Sequence, residues 1–334
     1  IVLSEPNVSL LEEGLNKVEF LVLQDIFVNE TTRFADVVFP AACFAEKDGV
    51  FTNSERRVQL VRKAVEPPGE ARADWEILVD LANACGAAWR YGSPAEIYDE
   101  MARDVPRFAG ISHARIAREG GLQWPCPTPD HPGTKYLHEG GKLMRGRGLF
   151  TPVDFRPSAE AEDSAYPLLL STGRTLYHYN SATQTRREQG AHAKQPEAYI
   201  ELHPKDAAAR GIADGDLVDV TTRRGHVRCR ALVSRQVRRG CIWMPFHFAE
   251  ARANLLTNDV GDAVTGTAEY KVCAAEVQRA EAATSGVAAR PAAAADGPDR
   301  PAAARVHFRG SYYAVDGPGP GEVDEGVLAA APPG

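Results

Sequence analysis

The sequence predicts an α/β unit followed by a closed β-barrel of about six short strands, and three observations carry that expectation. A helical pattern at Leu10-Leu-Glu-Glu-Gly-Leu15 runs into a continuous apolar stretch, Val18-Glu-Phe-Leu-Val-Leu-Gln24, which is half of an α/β unit. From Tyr166 the pattern changes to short apolar runs separated by turn residues, with one helix among them. From about Arg279 the composition turns rich in Ala, Pro and Gly, which ends the core-forming part of the chain.

Composition narrows the field. The chain has 334 residues, a net charge of -7 and 44% hydrophobic residues, which suits a globular protein of about two domains. The mild acidity argues against a general nucleic-acid binder. No apolar run approaches the ~18 residues of a membrane span. The six cysteines (Cys43, Cys85, Cys126, Cys229, Cys241, Cys273) include no C-x-x-C pair. They read as reduced, small hydrophobes, and they make the cytoplasm the expected compartment. The opening Ile1-Val-Leu-Ser-Glu-Pro6 has neither methionine nor a basic leader pattern, and reads as the interior of a longer chain.

The α/β portion is predicted over residues 1–155, with a helical and irregular insert. Its first strand ends at Gln24-Asp25, and ligands of open α/β sheets sit at the carboxyl ends of strands. These two residues either read a heterocycle or build a strand-end turn. Asn29 to Asp36 predicts a short helix capped by Asn29 or Thr31, and Val37-Val-Phe-Pro40 the next strand. Residues 45–59 carry Lys47, Thr52-Asn53 and Glu55-Arg56-Arg57. They read as a polar loop, in which Glu55 could orient an arginine. Ala71 to Gly86 predicts a helix that starts near Asp74 and is closed by Gly86; Asp74 is either its N-cap or a ligand contact. Ser93-Pro-Ala-Glu96 is a capping box that opens a further helix to about Arg103. Gly120 to Phe150 reads as irregular, and residues 151–165 as a polar connector between two domains.

The barrel is predicted over residues 166–280. Strands fall at Tyr166–Leu170, Ala198–Leu202, Leu217–Thr222, His226–Val233, Gly240–Met244 and near Val272–Val277. A short helix follows His203, and Arg223-Arg-Gly225 turns a hairpin. The first strand feeds Ser171-Thr-Gly-Arg-Thr-Leu-Tyr-His-Tyr-Asn-Ser-Ala-Thr-Gln-Thr-Arg-Arg187. Its hydroxyl, imidazole, amide and guanidinium groups are poor core material, but they suit a large anionic, hydrogen-bonding ligand. A solvated polar loop is the alternative. Residues 281–334 are predicted to be a flexible tail, holding one island of strand character at Arg305–Val315.

Three blocks, in this order, resemble the molybdopterin oxidoreductases of the dimethyl-sulfoxide-reductase family. They are Gln24-Asp-Ile-Phe27 with Ala35–Pro40, Glu46-Lys-Asp-Gly49 and Asn53–Arg57; then Ser171–Arg174 with Thr185-Arg-Arg187; then Met244-Pro-Phe-His-Phe248 with Asn254-Leu-Leu-Thr257 and Tyr270-Lys271. Within that family, Gln24–Phe27, Leu176-Tyr-His-Tyr-Asn180 and Leu122-Gln-Trp-Pro-Cys126 are most similar to the formate dehydrogenase α subunits. The resemblance implies a Rossmann-like α/β portion and a double-psi-type barrel that binds the dinucleotide. It implies two molybdopterin guanine dinucleotides holding one molybdenum or tungsten. Gln24, Asp25, Lys47 and Asp74 would contact one dinucleotide. The other would meet Thr172, Gly173, Arg174, Thr175, Leu176, Tyr177, His178, Tyr179, Asn180 and Ser181, with Phe246, Asn254 and Lys271 completing the site. His178 is thereby expected to be a cofactor contact rather than a base.

The family's four-iron four-sulfur cluster and catalytic metal ligand have no counterpart among these cysteines. The resemblance places them in an N-terminal remainder of the same subunit. It implies no catalytic or metal-ligating residue in this stretch, and an inactive fragment on its own. The whole protein is expected to be a formate dehydrogenase that passes two electrons to iron–sulfur or flavin subunits. A nitrate reductase of the same family is the alternative, followed by a non-catalytic electron-transfer subunit that kept the fold.

Overall fold

A computed structural model describes residues 1–143 and 145–281, together with two backbone strands at residues 305–309 and 312–316. Helix α1 (Val8–Leu15) leads into strand β1 (Val22–Asp25), which is shorter than the apolar run because Val18 and Phe20 lie exposed. A 3₁₀ turn at Thr32–Phe34 precedes β2 (Val37–Pro40), which pairs parallel with β1 in the register Val22↔Val37. The predicted cap at Asn29 is a local turn instead: its Oδ1 accepts from the Thr31 N–H at 2.9 Å.

The polar loop at residues 45–59 contains a hairpin that its charged residues conceal. Strands β3 (Gly49–Thr52) and β4 (Arg57–Val61) pair antiparallel, and β5 (Leu122–Gln123) joins them. Helix α2 (Asp74–Ala84) has Ala73, not Asp74, at its cap, so the Asp74 carboxylate is free for other partners. Helix α3 (Pro94–Asp104) has the predicted cap, with Ser93 accepting from the Glu96 N–H. Helix α4 (His113–Glu119) lies just before the irregular region and went unread in the sequence. It packs Ile116 with Val58, Tyr98, Ile111, Leu122 and Cys126 into a small second core.

Residues 151–165 form no helix or strand. The barrel follows: β6 (Leu168–Gly173), α5 (Gln189–Lys194), β7 (Tyr199–Leu202), α6 (Pro204–Ala209), β8 (Leu217–Thr222), β9 (His226–Val233), β10 (Cys241–Pro245) and β11 (Cys273–Arg279). The six strands close in the order β10-β6-β11-β8-β9-β7. Two of the neighbouring pairs, β6–β10 and β7–β9, are parallel, so the closed barrel is no simple meander. Alternate residues point inward, and Leu168, Leu170, Ile200, Leu202, Val218, Val220, Ile242, Met244 and Val277 make a continuous core. Each such aliphatic side chain contributes about 1.5–3 kcal/mol on burial.

The Arg305–Val315 island appears as β12 (Arg305–Arg309) and β13 (Tyr312–Asp316), with β13 antiparallel to β2. The rest of the expected tail, from residue 282 on, lies outside the described residues.

Candidate functional site

The carboxyl end of β1 opens onto a cleft of about 310 Å³ lined by Gln24, Asp25, Lys47, Asp74 and, from the barrel's long loop, Gln184. Topology brings these distant residues together. Strand β1 ends at Asp25, α2 begins at Asp74, and Lys47 stands on the turn before β3. The Gln24 carboxamide donates to Asp74 Oδ1 at 2.6 Å, and the Lys47 ammonium donates to Asp74 Oδ2 and to the Ala42 carbonyl. Burial works to raise the Asp74 carboxyl, but the Lys47 and Gln24 hydrogen bonds outweigh it and hold the group below its ordinary value. Asp25 also shapes the backbone: it accepts from the Phe27 N–H at 3.1 Å and from Asn29 Nδ2 at 2.8 Å.

The second set follows β6. Thr172 is buried, and its hydroxyl donates to the Tyr270 carbonyl at 2.9 Å, while the Lys271 ammonium holds the Thr172 carbonyl. Gly173 lets Trp243 approach, since a Cβ there would lie 2.7 Å from Trp243 Nε1. Arg174 donates to Asn180 Oδ1 at 2.9 Å and lies over the Phe246 ring at 5.5 Å. Leu176, Tyr177 and Tyr179 are exposed at the loop's outer edge. Ser181 lines a small cavity with Thr183, Arg186, Arg187 and His247.

His178 and Asn254 are buried as well. His178 engages the Gln195 carbonyl through Nε2 at 2.7 Å and Thr185 Oγ1 through Nδ1 at 3.2 Å, so its ring nitrogens tie the loop to its own flank. Asn254 donates to the Leu3 carbonyl at 3.2 Å, across the seam between the barrel and the N-terminal portion. Among the described residues its Oδ1 has no hydrogen-bond partner, and neither has the buried Oγ1 of Thr175.

The loop that carries the second set docks along that seam. Arg187 donates to the Val28 carbonyl at 2.9 Å and covers the Phe27 ring at 4.6 Å, which docks the barrel loop against the residues after β1. Glu12 of α1 binds both Arg33 and Arg252. Sequence reading missed Gln184 and His247. Gln184 lay inside the polar stretch, undistinguished from its neighbours. His247 sat in the quoted Met-Pro-Phe-His-Phe motif, where the bulkier Phe246 drew the assignment.

Comparison with known proteins places these two sets in two matched domains. The family model described as Molybdopterin oxidoreductase matches residues 2–84, and the Molydopterin dinucleotide binding domain matches residues 168–274. The chain is 47% identical over 282 residues to the F420-dependent formate dehydrogenase 2 subunit alpha of Methanococcus maripaludis, covering 83% of this chain and 41% of that protein. It is 37% identical over 286 residues to the assimilatory nitrate reductase catalytic subunit of Bacillus subtilis, covering 82% and 40%. The chain thus spans about two fifths of the length of these relatives. Acetylene hydratase from Pelobacter acetylenicus has the same fold, with a TM-score of 0.63 at 19% identity over 83% of this chain and 42% of that one.

Proposed function

The chain belongs to the molybdopterin oxidoreductases, and on that premise we propose that its two polar sets hold two molybdopterin guanine dinucleotides of a formate dehydrogenase. The whole enzyme oxidises formate to CO2, releasing two electrons and one proton. The observation that carries this reading is the meeting of the β1 end with the barrel loop, where Gln24, Asp25, Lys47, Asp74 and Gln184 line one cleft.

The residues fit such a group. Asp74 and Asp25 offer carboxylates to purine N–H donors, and Gln24 offers both a donor and an acceptor. Lys47 and Arg174 offset phosphate charge, and Arg174 is already oriented by Asn180 and Phe246. Thr175 Oγ1 and Asn254 Oδ1, without partners among the described residues, are polar atoms that a hydrogen-bonding ligand would satisfy. The metal–pterin group, when bound, supplies the two-electron redox chemistry, and the protein supplies orientation and electrostatics. Phe246 packs an apolar face beside the ligand loop, and Thr172 fixes that loop to Tyr270.

The reading extends to molybdenum or tungsten as the metal, an iron–sulfur cluster and metal ligand elsewhere in the same subunit, partner electron-transfer subunits and a cytoplasmic location. Among the described residues no helix is long and apolar enough to cross a membrane. Formate is favoured over nitrate by the higher identity to a formate dehydrogenase subunit, 47% against 37%. Retention of the polar set at both surfaces argues against a non-catalytic descendant.

The test is a reduced- and oxidised-viologen assay of the intact enzyme with formate and with nitrate, beside metal and pterin analysis. Formate-dependent dye reduction with about two pterins per metal supports the reading. Nitrate-dependent dye oxidation without formate activity overturns the substrate, and a matured enzyme free of metal and pterin overturns the cofactor.

A further inference from the structure

We propose that His247 is the positioning residue of the cofactor loop: one neutral imidazole clamps both ends of the Thr175–Asn180 segment and so sets the shape that Arg174–Ser181 present to the dinucleotide. The ligand's identity rests on the reading above; the clamp itself rests on geometry.

His247 is completely buried at the end of β10, between Phe246 and Phe248. Its Nε2 accepts from the Thr175 N–H at 2.8 Å, and its Nδ1 meets the Asn180 carbonyl. A carbonyl only accepts, so Nδ1 carries the proton and Nε2 is the bare acceptor. One tautomer therefore satisfies both ends of a six-residue excursion. That excursion has a cost which the clamp offsets. Asn180 and Ala182 hold φ of 48° and 58°, a left-handed backbone that side chains disfavour. Arg174 and Asn180, joined at 2.9 Å, are brought to the same place by this closure.

The clamp needs the uncharged ring. A proton on Nε2 would set an N–H against the Thr175 N–H, donor facing donor. The surroundings oppose that charge. The ring is desolvated by burial, and His178 lies 5.6 Å away, centroid to centroid. The charged groups on the elements around it are Arg174, Arg186, Arg187 and Glu30, with Arg186 paired to Glu250 at 2.8 Å. Arginines thus outnumber carboxylates around the imidazole. The loop is expected to keep its shape through neutral pH and to open in acid, when His247 is forced to take a proton.

The experiment compares the intact, cofactor-loaded enzyme with its His247→Gln and His247→Phe variants. Hydrogen–deuterium exchange is read on peptides covering 174–182 and corrected for the intrinsic effect of pH, and pterin content is measured in parallel. Gln can donate to Asn180 and accept from Thr175 but does not titrate; Phe fills the space and does neither. The expected result is exchange of the loop at least ~10-fold faster in the Phe variant at pH ~7.5, with near-wild-type protection in the Gln variant. Wild-type protection should fall by about 10-fold or more between pH ~7.5 and ~5, while the Gln variant stays level. The clamp is overturned if the Phe variant keeps its loop protection, or if wild type and Gln variant lose protection in parallel on acidification. A Phe variant with an opened loop and undiminished pterin supports the clamp and overturns the reading of this loop as cofactor-binding, so the two failures are distinct.

Discussion

The side-chain amide of Gln24 donates to the carboxylate of Asp74 at 2.6 Å, joining the penultimate residue of a half-buried strand to the first residue of a helix fifty positions later. That bond, with Lys47 on the other carboxylate oxygen, holds the cleft's polar groups at fixed spacing. Pre-organisation of this kind lowers the ordering cost of binding.

The cleft gives a pH-dependent contribution with a defined sign. The Asp74 carboxyl is held below its ordinary value in the folded protein, so its stabilising contribution is present above the unfolded-state value near ~3.9 and is lost as pH falls through the folded one. The carboxylate is 43% exposed, which limits the effect to below about 1 kcal/mol. Urea unfolding of wild type and Asp74→Asn from pH 6 to pH 3 should show the two curves converging at the acid end. Parallel curves would refute the assignment.

Arg174→Ala should weaken dinucleotide binding roughly 10- to 100-fold, since a charge-assisted contact is worth about 1.5–3 kcal/mol. Arg174→Lys should recover little of it, because a lysine cannot both reach Asn180 Oδ1 as a planar fork and stack on Phe246. Pterin content after gel filtration reads this, and full recovery in the lysine variant would count against it.

Gly173→Ala should destabilise the barrel by about 1–3 kcal/mol, because the added Cβ would stand 2.7 Å from Trp243 Nε1 and 2.9 Å from its Cζ2. Trp243 is held against Tyr199, with ring centroids 5.7 Å apart, and has little room to yield. The change should appear as a lower urea midpoint with an unaltered slope.

Glu12→Ala should loosen the seam between the N-terminal portion and the barrel. Glu12 is the shared partner of Arg33 and Arg252, and its removal leaves two largely buried guanidiniums facing each other. A loss of about 3 kcal/mol is expected, as for a broken buried pair. Limited proteolysis should show faster cleavage near the seam, and an unchanged digestion rate would disprove the role.

Much of the barrel was legible because its signals are local. Strand β8 alternates around Val218 and Val220, β9 around Val227 and Cys229, and a turn at Arg223-Arg-Gly225 joins them. The Ser93 cap and the closing Gly86, with φ of 94°, were readable for the same reason. The β3–β4 hairpin was not, because the Glu55-Arg56-Arg57 charges at its turn resemble a solvated loop. Arg56 is in fact spent on the Trp124, Thr134 and Lys135 carbonyls, and only the folded chain brings those near.

By itself, the sequence determined which stretches could carry an anionic ligand, since residue types set charge and hydrogen-bonding capacity before any folding. It set out Gln24 and Asp25, Lys47, Asp74 and the run from Thr172 to Ser181 as separate candidates. The tertiary structure alone decided which of them act together and in what capacity. It joined Gln24 to Asp74, turned His178 inward to hold the loop, and put His247 between Thr175 and Asn180. Partnership depends on distances across the fold and on which lone pair faces which proton, and pairing of that kind is fixed only when the chain has closed on itself.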